Sequence, residues 1–196
     1  MASQVAAVAG EELGLGDHIA YFFKSNAERL AFVIPYMVRG LENHERCVYI
    51  AHQNATLDIL RRFKSAGVDI DAATASGALS VVTKHETYLR DGIFEPQKMI
   101  ADLDRAVRSA LQDGFSGLRV TGEMSWAMDL PSALSRVCEY EEELRQRWPT
   151  QLSGLCQYDE SLFSADVVER MAACHWVVVR DGVITRHERH GKAHVA

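Results

Sequence analysis

Five short apolar runs mark the chain: His18–Phe23 (HIAYFF), Arg46–His52 (RCVYIAH), Ala78–Thr83, Gly117–Gly122 (GLRVTG) and Thr150–Tyr158. The segments between them place their apolar residues at helical spacing: Leu30, Val33, Ile34, Met37, Val38 and Leu41, then Leu57, Leu60 and Phe63, then Ile100, Leu103, Val107 and Leu111, then Leu134, Val137, Cys138 and Leu144. Connections this long can carry a helix back across a sheet, so the strands lie mainly parallel and the chain reads as an α/β domain.

Local signals punctuate the pattern. Ser25 can cap the first helix and Glu28 can close a capping box, Pro35 is expected to bend that helix, Gly67 and Gly114 stop the second and third, and Pro131 and Pro149 bracket the fourth. Ser164 caps a short helix through Met171. Trp176–Val179 then pairs with Val183–Thr185 around Asp181-Gly182 as a hairpin, so the sheet ends antiparallel. No repeat, low-complexity tract or linker interrupts this. The expectation is a flexible leader over 1–16, one domain over 17–186, and a His-rich polar tail over 187–196.

Composition enters mainly by exclusion. With 196 residues, 47% of them hydrophobic, the chain can bury a core without staples. Lys and Arg total 21 against 27 Asp and Glu, and a net charge of -6 argues against a surface built to neutralise phosphates. The longest apolar run, Leu30 to Val38, is about half the roughly 20 residues of a spanning helix and contains Pro35, so no membrane role is expected. The first ten residues lack the basic start of a secretory signal, and Cys47, Cys138, Cys156 and Cys174 show no CxxC pairing. Four reduced thiols in a cytoplasmic protein follow.

Open α/β sheets bind ligands beyond the carboxyl ends of their strands. After the first strand a nucleotide binder would carry GxxxxGK[ST]; this chain carries the glycine-free Lys24-Ser25-Asn26-Ala27-Glu28. The fourth strand ends in Glu123-Met124-Ser125-Trp126. Glu123 fits a general base, a ligand acceptor, or a structural acceptor paired with backbone or a neighbouring arginine such as Arg119; Trp126 fits core packing or the wall of an organic-ligand pocket. The fifth brings Cys156-Gln157-Tyr158-Asp159. Cys156 needs a base such as His18 or His175 to act as nucleophile and is otherwise an inert thiol; Asp159 is a polar contact or a turn acceptor. His18 and His175 open strands, where backbone hydrogen bonding at the sheet edge is the plainer role. His187, His190 and His194 show HxxH and HxxxH spacing, but spacing fixes no complete ligand set, so no metal ligand or cofactor is assigned.

Taken in order, HIAYFF, GLENHERCVYIA, GLRVTGEMSW, the helix with Cys138-Glu139-Tyr140-Glu141, LCQYDE and the His175 strand resemble the MEDS domain, a methanogen/methylotroph sensory domain. The resemblance runs from about Asp17 to Gly182. Its recurrent positions fall on Asp17, His18, Tyr21, Glu123, Trp126, Tyr140, Glu141, Cys156, Tyr158, Asp159 and His175. It implies a three-layer RecA/KaiC-like sandwich that has lost the phosphate loop. It also implies a sensor of small organic molecules working with histidine kinases, anti-sigma-type proteins or DNA-binding regulators; with no room for an output domain, this chain is expected to act through a partner.

The leading expectation is thus a non-catalytic cytoplasmic sensor. Glu123 and Asp159 would offer polar contacts and Tyr21, Phe23, Trp126 and Tyr158 apolar walls, with His18, Cys156 and His175 as family positions without an assigned role. The acidic face around Glu139 to Glu143 is a docking surface or simply a solvated face. Alternatives are a degenerate RecA-like nucleotide binder, a metal- or haem-responsive sensor, and a partner-switching protein with no ligand. No direct nucleic-acid or membrane contact is expected, and homodimerisation stays open.

Overall fold

The computed structural model describes residues 13–51, 55–130 and 133–188. Its strands are β1 His18–Phe23, β2 Arg46–Ala51, β3 Leu79–Thr83, β4 Leu118–Glu123, β5 Leu152–Asp159, β6 Val177–Arg180 and β7 Val183–Arg186. They form one sheet in the order β3-β2-β4-β5-β1-β6-β7, parallel throughout except for the closing β6–β7 hairpin. The helices are α1 Asn26–Glu42, α2 Thr56–Ser65, α3 Ile70–Ala75, α4 Pro96–Gln112, α5 Ala133–Arg147 and α6 Ala165–Cys174, with a 3-10 turn at Ser125–Asp129.

Strand periodicity sorts the side chains onto two faces. On one, Ala20, Phe22, Ile50 and Tyr158 pack with Met99, Ile100 and Leu103 of α4, Val137 and Leu144 of α5, and Val168 and Met171 of α6. On the other, Ile19, Tyr21, Phe23, Tyr49 and Leu155 pack with Leu30, Val33 and Met37 of α1 and Ile59 and Phe63 of α2. The result is the expected three-layer α/β sandwich. The helices following β1 and β2 cover one face and those following β4 and β5 the other, so the crevices between β2 and β4 and between β5 and β1 are topological switch points.

The local signals act largely as read. Ser25 Oγ accepts the Glu28 N–H at 3.2 Å, and the Glu28 carboxylate accepts the Lys24 N–H at 3.0 Å, one residue further back than a standard capping box. Helix α1 runs through Pro35 to Glu42. Asp181 and Gly182 have φ of 50° and 75°, both left-handed, as a two-residue hairpin with the sheet's twist requires. Helix α6 extends past Met171 to Cys174. Packing begins before residue 17: Leu13 is buried, and the Gly16 N–H donates to the Leu152 carbonyl at 2.8 Å. The His187 N–H donates to the Trp176 carbonyl at 2.7 Å, continuing the hairpin register. Most of the leader, Asn54, the Pro131 helix start, His190 and His194 lie outside the described residues. Among the described residues no helix is long and apolar enough to cross a membrane.

Candidate functional site

At the carboxyl ends of the central strands, where a ligand was expected, the protein's own side chains close the crevice. Arg29, from the first turn of α1, donates through Nη1 to Tyr49 Oη, Glu123 Oε2 and Gln157 Oε1, each at 3.1 Å. Asn26 Oδ1 accepts from its Nε and Nη2 at 3.2 and 2.6 Å. Gln157 in turn donates to Thr121 Oγ1 at 2.8 Å. A buried guanidinium therefore stands where a nucleotide-binding loop would offer backbone amides and a lysine. Glu123 has an arginine partner, but it is Arg29 and not Arg119. Arg119 lies four residues, roughly 13 Å, down the same strand. It makes a bidentate pair with Glu45 at 2.7 and 2.9 Å and donates to the Tyr36 carbonyl at 3.0 Å.

The six side chains expected around a ligand are not brought into one pocket. Tyr21 and Phe23 point to the α1 face, where Tyr21 stacks on Phe32 at 4.4 Å and Arg29 sits 5.7 Å above Phe23. Trp126 and Tyr158 point to the other face. Trp126 is fully buried between Tyr88 and Phe94 at 5.0 and 5.1 Å, and its indole N–H has no acceptor among the described residues. Asp159 Oδ1 accepts from Ser161 N and Oγ at 2.9 and 2.6 Å, which is the turn-acceptor role. Strand alternation separates them: odd-numbered positions of β1 and even-numbered positions of β5 face opposite layers.

What does converge is a cluster of buried His18, Glu141 and His175 with half-buried Cys156. His18 Nε2 lies 3.0 Å and His175 Nε2 3.6 Å from Glu141 Oε2, and the four potential ligand atoms all lie within 4.8 Å of one another. His18 and His175 are packed ring to ring at 3.9 Å, and Trp148 covers His18 at 4.1 Å. Gly154 makes room for the Trp148 ring, which a Cβ there would strike. Tyr158 Oη donates to Glu141 Oε1 at 3.1 Å, and His175 Nδ1 lies 2.6 Å from the Met171 carbonyl. That contact puts the His175 proton on Nδ1 and leaves Nε2 as a bare lone pair. Burial pushes both imidazoles down to about 3, so they are neutral, while it raises the Glu141 carboxyl. Desolvation and the Glu141 charge hold the Cys156 thiol well above its ordinary value, which disfavours the thiolate that a nucleophile needs.

Sequence reading named three of these four as family positions without a role and gave Glu141 only as a fourth such position. No spacing rule could have joined them, because they come from β1, α5, β5 and the residue after α6. Beside the cluster, His18 and Cys156 line a narrow cavity with Tyr140, Leu144 and Trp148. This cavity shares Ile50, Met99, Leu103 and Val120 with an apolar cleft of about 180 Å³ between α4 and strands β2 and β4, rimmed by Thr87, Arg90 and Asp102.

Comparison with known proteins gives three results. The family model described as "MEDS: MEthanogen/methylotroph, DcmR Sensory domain" matches residues 17–176. The transcriptional repressor DcmR of Methylorubrum extorquens is 28% identical over 136 residues, which are 69% of this chain and 48% of that protein. The chain thus spans about half the length of that relative. Among solved structures, a KaiC-like protein from Pyrococcus horikoshii superimposes with a TM-score of 0.59 at 13% identity, over 85% of this chain and 71% of the other. The flagellar accessory protein FlaH of Methanocaldococcus jannaschii gives 0.61 at 12% identity, over 92% and 80%. These two likenesses establish a KaiC-like fold.

Proposed function

The chain belongs to the MEDS family of sensory domains, and from that premise we propose that it is a non-catalytic sensor of a small, largely apolar organic molecule, read out by a regulatory partner. The observation that carries the reading is the cleft of about 180 Å³, walled by Val48, Ile50, Met99, Leu103, Ala106 and Val120. A dry apolar cavity of comparable size holds a benzene-sized guest. Its floor is sheet and its roof is α4, so an occupant bears on one helix, and a shift of that helix changes the surface a partner meets. The repressor relative supports a role in regulation.

Titration of the protein with benzene and with small halogenated hydrocarbons, followed by calorimetry, tests this. Saturable binding is expected, and Ala106→Phe, which fills the cleft, removes it while the circular dichroism spectrum is retained. Absence of saturable binding, or binding indifferent to Ala106→Phe, overturns the cleft. The nucleotide reading is disfavoured by the Arg29 guanidinium in the crevice and the internally satisfied Lys24–Glu28 turn. Saturable, magnesium-dependent ATP binding would reinstate it.

A further inference from the structure

We propose that His18 Nε2, His175 Nε2, Glu141 Oε2 and Cys156 Sγ form a four-ligand site for a divalent first-row transition metal ion of the zinc class. Tetrahedral zinc, with bonds of about 2.0–2.3 Å, sets its ligand atoms roughly 3.3–3.8 Å apart. The 3.0 and 3.6 Å separations around Glu141 Oε2 bracket that spacing, while the 4.8 Å limit on the whole set and the 3.9 Å packing of His18 on His175 require the two rings to splay by about 1 Å as the ion enters.

Three further observations support the site. His18 Nε2, His175 Nε2 and Glu141 Oε2 are buried and lack hydrogen-bond partners. His18 Nδ1 is unpartnered as well, so only the His175 lone pair is fixed by a contact; a metal ion would satisfy both Nε2 atoms and the carboxylate together. The outer contacts are those of metal ligands: the His175 Nδ1–H is engaged by the Met171 carbonyl, and Tyr158 orients Glu141 through its other oxygen. Charge also balances. One carboxylate and one thiolate with two neutral imidazoles cancel a divalent cation, so the buried site is neutral overall. Two nitrogens, one oxygen and one sulfur suit zinc, cobalt or ferrous iron and not magnesium or calcium. On binding, the Cys156 S–H bond and the O–H bond of protonated Glu141 break, metal–sulfur and metal–oxygen bonds form and both protons pass to solvent, with no change of oxidation state.

Metal uptake by the chelator-stripped full chain, measured with Zn2+ by native mass spectrometry and with Co2+ by absorption, tests the site without any organic molecule. The expected result is one ion per chain, with the visible bands of four-coordinate cobalt and a near-ultraviolet thiolate-to-cobalt band. Cys156→Ser removes that near-ultraviolet band, and the near-isosteric Glu141→Gln weakens uptake about tenfold or more. Cys138→Ser and a His187, His190, His194 triple alanine variant leave uptake unchanged. The proposal is overturned if folded wild-type protein takes up no stoichiometric ion, if uptake is indifferent to both Glu141→Gln and Cys156→Ser, or if it depends on the three tail histidines. Benzene binding in the adjacent cleft is a separate readout, so the two proposals can fail independently.

Discussion

Gly40 has no room for a side chain: a Cβ there would lie 2.5 Å from Arg119 Cδ and Nε and 2.8 Å from Cys47 Sγ. The guanidinium it accommodates is buried and paired with Glu45. Gly40→Ala is expected to cost about 2–3 kcal/mol by overpacking, and Glu45→Ala about 3–5 kcal/mol by stranding a buried charge, both read as urea midpoints. Trp126→Ala is likewise expected to cost about 3–5 kcal/mol, since the ring is part of the core and not a pocket wall. Acid sensitivity belongs to the same scale. In the metal-free protein burial holds His18 and His175 down at about 3, against the ordinary 6.5 when unfolded, so between those values the unfolded chain holds more protons and stability falls as pH drops below about 6.5. Glu141, raised by burial, takes up its proton more readily when folded and offsets part of that loss toward its ordinary value of 4.5. Urea midpoints from pH 8 to 4 should decline, and His175→Gln should flatten the decline. Residue types told little of this in advance. For Glu123 the structural-acceptor role was one of three legible ones, with Arg119 as a possible partner, but Arg29 as the actual partner was not legible, because the two lie far apart in the chain and meet only through the fold.

The first turn of α1 joins two roles at the element scale. It caps itself through Ser25 and Glu28 and projects Arg29 onto side chains of β2, β4 and β5. Replacing Arg29 with Met leaves Glu123 without its guanidinium, and a loss of about 3 kcal/mol is expected. A double variant, Arg29→Met with Glu123→Gln, should recover much of it, as a double-mutant cycle in urea would measure. Strands, long helices and the hairpin were legible because their periodicities differ, and Asp181-Gly182 announces its own turn. Helix α3 and the 3-10 turn at Ser125–Asp129 were not, since six and five residues are too few to set a helical period. The proposed metal-ligand set was legible only in part: Cys156 with His18 or His175 could be paired as a thiolate–imidazole site, but Glu141 could not be joined to them, because the four come from β1, α5, β5 and the residue after α6.

For the whole molecule, the sheet divides the interior into two packed layers, and the cleft belongs to only one of them. Occupancy by benzene should therefore slow amide exchange in α4 and in the 84–91 turns, while α1 and α2 remain unchanged; uniform protection of both layers would contradict a local cleft. The mainly parallel α/β class followed from alternation, the three-layer RecA/KaiC-like sandwich only from the family resemblance, and alternation gave no strand order. Alternation says that strands are parallel and is silent on which are neighbours. Here β1 lies between β5 and β6, with His18 opposite Gly154 and Ile19 opposite Val177. β1 is thus synthesised well before β5 and β6, the two strands that cover its edges. Until residue 154 has emerged, the apolar HIAYFF segment has no strand of this sheet to pair with, which leaves an apolar edge on the nascent chain for a chaperone to cover.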